Sequence, residues 1–296
     1  MRVIAWLNLV GNLAIIATGG AVRLTESGLG CPTWPQCTPD SWVPTADLGG
    51  HALIEFGNRL MSPILAILAI LAVLSVWRFR KARPDLWAHA WIIASGIVVQ
   101  AVVGGVTVWT GLNAWIVGTH YIASAILVGV ATSIVLRTRR ERGPRALAVP
   151  AWLFGMTHVA TLLFAALIVA GVVTTGNGPH SGDRGVVREG IAWDVLAHVH
   201  AWIGYALVAA LVVLLVGAIA HGNRRYRNAV LAVTAIVAIQ VVVGIAQSRL
   251  GIPPLLVGIH MVLAGVSVAL MVVLVDATKR PSPTPRGADF PVDTPS

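Results

Sequence analysis

Two histidines occupy the same position in a repeated apolar stretch. Residues 100–125 read QAVVGGVTVWTGLNAWIVGTHYIASA and residues 240–265 read QVVVGIAQSRLGIPPLLVGIHMVLAG, and the two align without a gap so that His120 falls on His260. Imidazole ligates metals and transfers protons near neutral pH. A polar side chain in hydrocarbon is costly and is usually retained for a function. The repeat therefore predicts two related sites, each with one imidazole about a turn inside its second apolar segment.

Two further polar residues extend these sites. His200 and Asn58 occupy matching places in the two halves of the chain, and with His120 and His260 they lie one or two turns below the outer surface. Two histidines from facing helices of a four-helix bundle are typical axial ligands of a haem iron, which predicts a fully ligated haem between His200 and His260. Asparagine is a poor iron ligand, so a haem beside His120 would be five-coordinate or weakly held. Zinc would need carboxylate or thiolate ligands, and these helices offer little beyond Asp194.

Glu55 and Arg59 enter the membrane on the same helix as Asn58. Glu55 and Asn58 are three residues apart, so they share one face of the helix. A carboxyl group beside an open haem face could position a reacting group or move protons, and Arg59 could neutralise it or bind an acidic ligand. The second half has Ala197 in the place of Glu55. The alternative interpretation is an ion pair between Glu55 and Arg59 that only stabilises the bundle.

Cys31 and Cys37 are the only cysteines and lie in a Gly- and Pro-rich loop after the first helix. Because this loop is on the side of the membrane where thiols meet an oxidising environment, a disulfide is favoured over free thiols. Closing so short a ring would stabilise the loop by about 2 kcal/mol. A structural clip and a reversible redox pair both stay open, whereas two sulfurs without further ligands fall short of a metal site.

The elements that must position these residues are membrane helices. The 296 residues are 56% hydrophobic and 11% charged, with a mean hydropathy of +0.80, which excludes an ordinary soluble domain. Runs of about 20 apolar residues cross about 30 Å of hydrocarbon as helices, and the alternation of a barrel is absent. The sequence predicts an all-α, polytopic membrane protein with eight helices, at about residues 3–22, 52–76, 87–109, 116–136, 150–173, 193–219, 229–247 and 255–275.

The basic residues predict the topology. The formal net charge is +9, which in a soluble protein would suggest nucleic-acid binding. Here all but five of the 21 Lys and Arg residues lie at the termini or in the loops after even-numbered helices. By the positive-inside rule that side is cytoplasmic, so both termini are expected there and no nucleic-acid partner is expected. The five on or near the other side are Arg23, Arg59, Arg184, Arg188 and Arg249.

The repeat divides the chain into two halves. Residues 1–142 are expected to form one four-helix bundle with the cysteine loop, and residues 143–280 a second. Four helices per half give both halves the same orientation, which is a parallel repeat about an axis along the membrane normal. Residues 281–296 are rich in proline and poor in apolar residues, which predicts a disordered cytoplasmic tail. The first apolar segment lacks a convincing cleavage site and is expected to remain as a helix.

Three features together are typical of one known family: the run GGAVRLTESGLGCPTWPQC from Gly19 to Cys37, IEFGNRL at the start of the second helix, and the histidines of helices four, six and eight. In these features the chain resembles the bacterial haem A synthase family. It implies an oxidoreductase of the cell membrane that oxidises a methyl group of haem O to a formyl group in two oxygen-requiring steps, giving haem A for terminal oxidases. It also implies haem O synthase (protohaem farnesyltransferase) and an electron donor as partners.

The same resemblance assigns roles to particular residues. His200 and His260 would hold haem b, His120 matches a histidine of the substrate site, and Glu55 matches an essential glutamate. The loop cysteines match the disulfide pair of the family. The chain departs from the family where a histidine three residues after the glutamate is replaced by Asn58. Independently of the resemblance, Arg23, Arg59 and Arg249 are candidates for cationic partners of haem propionates, because they lie on or near the outer side.

Two other functions fit parts of the pattern. A membrane cytochrome b that only transfers electrons would explain His200 and His260, but it would not explain Glu55 beside Asn58. A transporter would explain a parallel repeat, but the helices lack the Gly- and Pro-broken pairs of a substrate pathway, apart from Pro63. Assembly of several copies into a homo-oligomer stays open.

Overall fold

The computed structural model describes residues 1–180, 182–183 and 192–282. Within them lie eight helices that are long and apolar enough to cross a membrane, which confirms the predicted fold class. The predicted disordered tail falls mostly on residues 283–296, outside the described residues, as do Arg184 and Arg188. The helices are α1 Arg2–Leu24, α2 Gly49–Trp77, α3 Pro84–Trp109, α4 Ala114–Arg137, α5 Ala151–Gly176, α6 Trp193–His221, α7 Arg224–Arg249 and α8 Pro254–Ala277.

Local sequence explains where several helices begin and end. The Asn113 side chain accepts hydrogen bonds from the first backbone N–H groups of α4, and Asn223 does the same for α7, as expected of N-cap residues. Pro84 and Pro254 open α3 and α8, where a missing N–H is not needed. Gly222 ends α6 with φ +77°, a left-handed conformation that glycine adopts without strain.

The turn inside the repeated stretch has the same backbone in both halves. Gly111 and Leu112 have φ +57° and +58°, and Gly251 and Ile252 have φ +75° and +59°. The Leu112 N–H donates to the Thr107 carbonyl at 2.8 Å, and the Ile252 N–H donates to the carbonyl of Gln247, the residue that matches Thr107, at 2.8 Å. The structure therefore reproduces the sequence repeat down to the hydrogen bond that closes each turn.

The helices pack as two rings of four. In the first ring α1 contacts α2 and α4, and α3 contacts α2 and α4; in the second, α5 contacts α6 and α8, and α7 contacts α6 and α8. Each ring encloses a buried apolar cluster, whereas many apolar side chains on the outside are exposed, as expected for lipid-facing surfaces. The first cluster includes Leu65, Ile93 and Val128, and the second includes Leu153, Leu207 and Leu274.

The two rings meet through α1, α4, α5 and α8. Contacts of α1 with α8 and of α4 with α5 are equivalent under the repeat, and α4 packs on its own counterpart α8. At this contact the Tyr121 hydroxyl donates to the Met261 carbonyl at 3.0 Å. These two residues directly follow His120 and His260, so the hydrogen bond joins the two helices at the level of the predicted sites.

A two-stranded sheet at the basic side was not predicted from the sequence. Strand β1, Arg145–Leu147, pairs antiparallel with β2, Lys279–Pro281, and the Ser282 N–H donates to the Pro144 carbonyl at 3.0 Å. Pro281 and Ser282, assigned to the disordered tail, are therefore paired with the linker between the halves. Asp276 lies beside this sheet and forms ion pairs with Arg140, Arg145 and Arg225.

Candidate functional site

His200 of α6 and His260 of α8 lie close to each other inside the second four-helix bundle. The centroids of their imidazole rings are 6.3 Å apart, and the imidazole planes are inclined by 72°. Two sequence features let the rings approach their neighbouring helices. A Cβ atom on Gly171 of α5 would lie only 2.9 Å from Cε1 of His200, and one on Gly244 of α7 would lie 3.6 Å from Cε1 of His260. Both rings therefore occupy space that a side chain on the neighbouring helix would otherwise fill.

This separation fits a haem iron. An iron about 2 Å from one nitrogen of each imidazole places the ring centroids about 6 Å apart, which agrees with the observed spacing of His200 and His260. Nδ1 of His260 is buried without a hydrogen-bond partner among the described residues. Within the described residues, moreover, no group of three or more His, Cys, Asp or Glu side chains could hold a metal ion, so a multi-ligand zinc site has no support there.

The first ring has only one of these two imidazoles. His120 of α4 packs against Gly104 of α3, where a Cβ atom would lie 3.5 Å from its Cε1. Asn58 of α2 occupies the place that matches His200, and its Oδ1 accepts a hydrogen bond from the Thr18 hydroxyl of α1 at 2.7 Å. Because the oxygen of Asn58 is engaged by Thr18, this half offers one imidazole and no second strong ligand at the matching position.

The Glu55 carboxylate is 4% exposed and faces the cysteine loop. Its Oε1 accepts from Arg59 Nε at 3.0 Å and Nη2 at 2.5 Å, and its Oε2 accepts from the Cys31 N–H at 2.7 Å. The ion pair expected as an alternative therefore exists. Both carboxylate oxygens have protein partners, so Glu55 reaches another group only when one of these contacts opens.

The loop itself is tied down by a disulfide and by Arg59. Cys31 and Cys37 are bonded, which confirms the predicted disulfide. Arg59 donates to the loop carbonyls of Thr33 at 2.8 Å, Gln36 at 3.2 Å, Cys31 at 3.2 Å and Pro35 at 3.5 Å. A single guanidinium thus joins the carboxylate of α2 to four carbonyls of the loop.

Trp34 anchors the same loop to α3. A Cβ atom on Gly105 would overlap the Trp34 ring, so the ring fits where α3 has no side chain. Trp109 packs edge-on against Trp34 with ring centroids 5.3 Å apart, and its Nε1 donates to the Trp34 carbonyl at 3.3 Å. Ile245 occupies the place of Gly105 in the second half. At this position the second half therefore has a side chain where the first half has space for the Trp34 ring.

The candidate cations for propionates differ in their surroundings. Arg23 donates from Nη2 to the Thr175 carbonyl at 2.6 Å, which joins the outer ends of α1 and α5. Arg59 is engaged by Glu55 and the loop, and Arg249 is exposed at the end of α7. Arg23 and Arg59 therefore also stabilise the fold, because each joins two separate elements.

Sequence reasoning missed several residues that support the histidines. Gln100 donates from Nε2 to the His120 carbonyl at 2.9 Å, and Gln240 donates to the His260 carbonyl at 3.2 Å. Both glutamines are visible in the aligned repeat, so their recurrence was the available signal. The contact of Thr18 with Asn58 had no such signal, because Ala170 stands at the matching place in the second half.

Together, these features define a class: duplicated eight-helix membrane proteins in which one half holds a facing pair of histidines. Residues 2–180 match the family described as cytochrome oxidase assembly protein, COX15-CtaA. The chain belongs to this family, and it is a multi-pass protein of the cell membrane.

Individual relatives agree with the family match. The chain is 30% identical over 137 residues to Heme A synthase of Geobacillus thermodenitrificans, which covers 45% of this chain and 42% of that protein. It is 31% identical over 129 residues to Heme A synthase of Geobacillus kaustophilus, covering 43% and 39%. The matched segments therefore span less than half the length of these relatives.

Proposed function

We propose that this chain is a haem A synthase, an oxidoreductase that converts the methyl group of haem O to a formyl group and supplies haem A for terminal oxidase assembly. One observation carries the proposal: a facing pair, His200 and His260, in one half of a duplicated bundle, and a lone His120 in the other. Family membership and the printed names of the relatives support it.

The second half, residues 143–280, is the proposed haem b site. Haem b would supply one-electron transfer when bound. His200 and His260 would hold its iron, because their ring centroids lie 6.3 Å apart, a spacing that suits an iron between them. Gly171 and Gly244 would keep both rings close to the neighbouring helices and so limit their rotation.

The first half, residues 1–142, is the proposed site for haem O. His120 would ligate the substrate iron from one side, and Asn58, with its oxygen bound to Thr18, would leave the other side open. An open face suits a substrate that must react and leave. Arg59 would add positive charge at the outer edge of this site, where the propionates of a haem would lie.

Glu55 is the proposed catalytic group. Its Oε2 is bound to the backbone N–H of Cys31 and its Oε1 to Arg59, so it would act on the reacting methyl group only after releasing one partner. Release of Oε2 would free a carboxylate oxygen to position the methyl or to accept a proton, while Arg59 would hold the other oxygen. The cysteine loop and the carboxylate would therefore move together.

The proposed reaction needs partners outside the chain. Two successive hydroxylations of one methyl group give a geminal diol, which loses water to become the aldehyde. Dioxygen would supply the oxygen atoms, and an electron donor would reduce it through the second half. Haem O synthase would deliver the substrate within the membrane.

A second candidate is a cytochrome b that only transfers electrons. The facing histidines favour it equally, because ligation of a haem by two imidazoles suits electron transfer. It gives no reason for a buried carboxylate and guanidinium that fix a disulfide loop over the first half.

Haem analysis separates the two candidates. The chain is expressed in a host that makes haem O but no haem A, and the haems of its membranes are extracted and resolved by chromatography and mass. A haem A synthase accumulates haem A, and an empty vector does not. Membranes that contain the folded, haem-loaded chain and only haem O would contradict the proposed activity and favour the electron carrier.

A further inference from the structure

We infer that Gln100 and Gln240 are positioning residues that set the orientation and the electron donation of the two repeated histidines. Each would accept a hydrogen bond from Nδ1 of its histidine, directly or through one water molecule. This inference rests on the proposed haem sites, and it adds a residue in each half to which neither the family nor the relatives' names assign a role.

The first observation is that each glutamine already holds its histidine residue by the backbone. Gln100 Nε2 donates to the His120 carbonyl at 2.9 Å, and Gln240 Nε2 donates to the His260 carbonyl at 3.2 Å. A carbonyl oxygen only accepts hydrogen bonds, so these contacts settle which end of each amide is nitrogen. The amide oxygens must therefore point elsewhere.

The second observation is a matching set of unpaired atoms in both halves. Oε1 of Gln100 and Oε1 of Gln240 are buried and have no hydrogen-bond partner among the described residues. Nδ1 of His120 and Nδ1 of His260 are buried and equally lack a partner there, as does Nδ1 of His200, which has no glutamine bound to its carbonyl among the described residues. Buried polar groups are nearly always hydrogen-bonded in folded proteins, so four such atoms at two equivalent places call for a shared explanation.

The chemistry of a ligated imidazole supplies that explanation. When Nε2 of a neutral histidine binds iron, Nδ1 carries the proton and must donate it to an acceptor. An amide oxygen is such an acceptor. Each amide is already anchored on the carbonyl of the same histidine residue, so a side-chain rotation or one bridging water would join its oxygen to Nδ1. One glutamine would thus satisfy both a donor and an acceptor that the fold leaves unpaired.

This hydrogen bond would have a measurable electronic effect. An acceptor at Nδ1 makes the imidazole a stronger donor to the iron, and this stabilises the ferric state. Losing such an outer partner typically weakens metal binding by about 10- to 100-fold. If Gln240→Leu weakens the ferric form tenfold more than the ferrous form, the midpoint potential of the resident haem rises by about 59 mV for this one-electron couple.

The test is a spectroscopic redox titration of the resident haem in the purified full-length chain. Gln240→Leu should raise the midpoint potential, and Gln100→Leu should leave it unchanged because it lies in the other half. Thr234→Val is the matched control on α7, since it removes a buried hydroxyl that also lacks a partner. A thermal melt of each variant reports separately on stability.

Gln240→Glu distinguishes the inferred role from a merely structural one. Like Gln240→Leu it loses the N–H that holds the His260 carbonyl, but it keeps an acceptor for Nδ1, so its potential should fall below that of the wild type. Equal upward shifts in both variants, or a Gln240→Leu potential equal to that of Thr234→Val, would overturn the inference. A wild-type chain without any haem absorbance would instead overturn the proposed function, and the inference with it.

Discussion

The two halves of this protein share the same helix packing around their candidate ligands and differ in the side chains near the outer surface. Each half has a glycine in an odd-numbered helix beside each candidate ligand in the next helix: Gly104 beside His120, Gly244 beside His260, Gly171 beside His200 and Gly19 beside Asn58. This packing is thus the same whether the ligand position holds histidine or asparagine. The comparison teaches that the duplication preserved a glycine beside each of the four positions, although Asn58 differs from its counterpart His200.

The first half adds what the second lacks. Glu55 stands where the second half has Ala197, and Gly105 stands where it has Ile245. These two changes allow a disulfide loop to be held by an ion pair on α2 and by Trp34 on α3. The second half therefore has the pair His200 and His260, whereas the first half has a disulfide loop fixed by Glu55, Arg59 and Trp34.

The largest expected effect comes from removing a ligand of the second half. His260→Ala should abolish retention of haem b, because His200 alone cannot bind iron from both sides, and haem A formation should stop. The absorbance of the purified protein near the Soret band measures this directly. His158→Ala is a suitable control, since His158 is exposed and its Nδ1 is hydrogen-bonded to the Phe154 carbonyl of its own helix. If both variants keep the pigment, the ligand assignment is wrong.

Glu55→Ala tests the first half while leaving the second intact. The variant should keep haem b but lose nearly all turnover, and breaking a buried ion pair should destabilise the protein by about 3–5 kcal/mol. Haem extraction measures turnover, and a denaturation curve in detergent measures stability. Asp40→Asn changes an exposed carboxylate of the same loop and should affect neither. Normal conversion of haem O by Glu55→Ala would show that the reacting half is assigned wrongly.

Asn58→His would make the first half resemble the second. The space beside Gly19 should admit an imidazole, so haem bound next to His120 should be retained about tenfold more tightly and turnover should fall. The haem-to-protein ratio after purification measures this, with Thr18→Ala as a control that frees the Asn58 oxygen without adding a ligand. An unchanged haem ratio in a folded Asn58→His variant would contradict the pairing of positions 58 and 120.

Gly105→Ala should have the smallest effect. The added methyl group overlaps the Trp34 ring, and such overpacking costs about 1–3 kcal/mol, so the loop should loosen and turnover should fall several-fold while haem b stays bound. Limited proteolysis of the loop is the measurement. Gly155→Ala places the same methyl in a helix where no atom lies within 4 Å, and it should stabilise slightly; equal behaviour of the two variants would contradict the packing of Trp34 against Gly105.

The helices and the candidate ligands could be predicted from the sequence because their signals are local or repeated. Apolar runs of membrane length gave all eight helices, and the aligned repeat gave His120 and His260. The β1–β2 pairing could not be predicted, since three-residue strands separated by the whole second half leave no periodic pattern. The engagement of both Glu55 oxygens was equally hidden, because it depends on where a loop backbone lies. Gln100 and Gln240 were visible as a repeat, but their hydrogen bonds to the His120 and His260 carbonyls depend on how the helices pack.

The central claim is that the second half holds a haem iron between two imidazoles and the first half leaves one face open. Haem stoichiometry and ferric electron paramagnetic resonance of the purified full-length chain test it most directly. One low-spin haem per chain with the signature of two imidazole ligands, lost in His200→Ala and kept in His120→Ala, is the predicted result. A haem that is lost in His120→Ala and kept in His200→Ala, or a chain that binds no haem, would contradict the account.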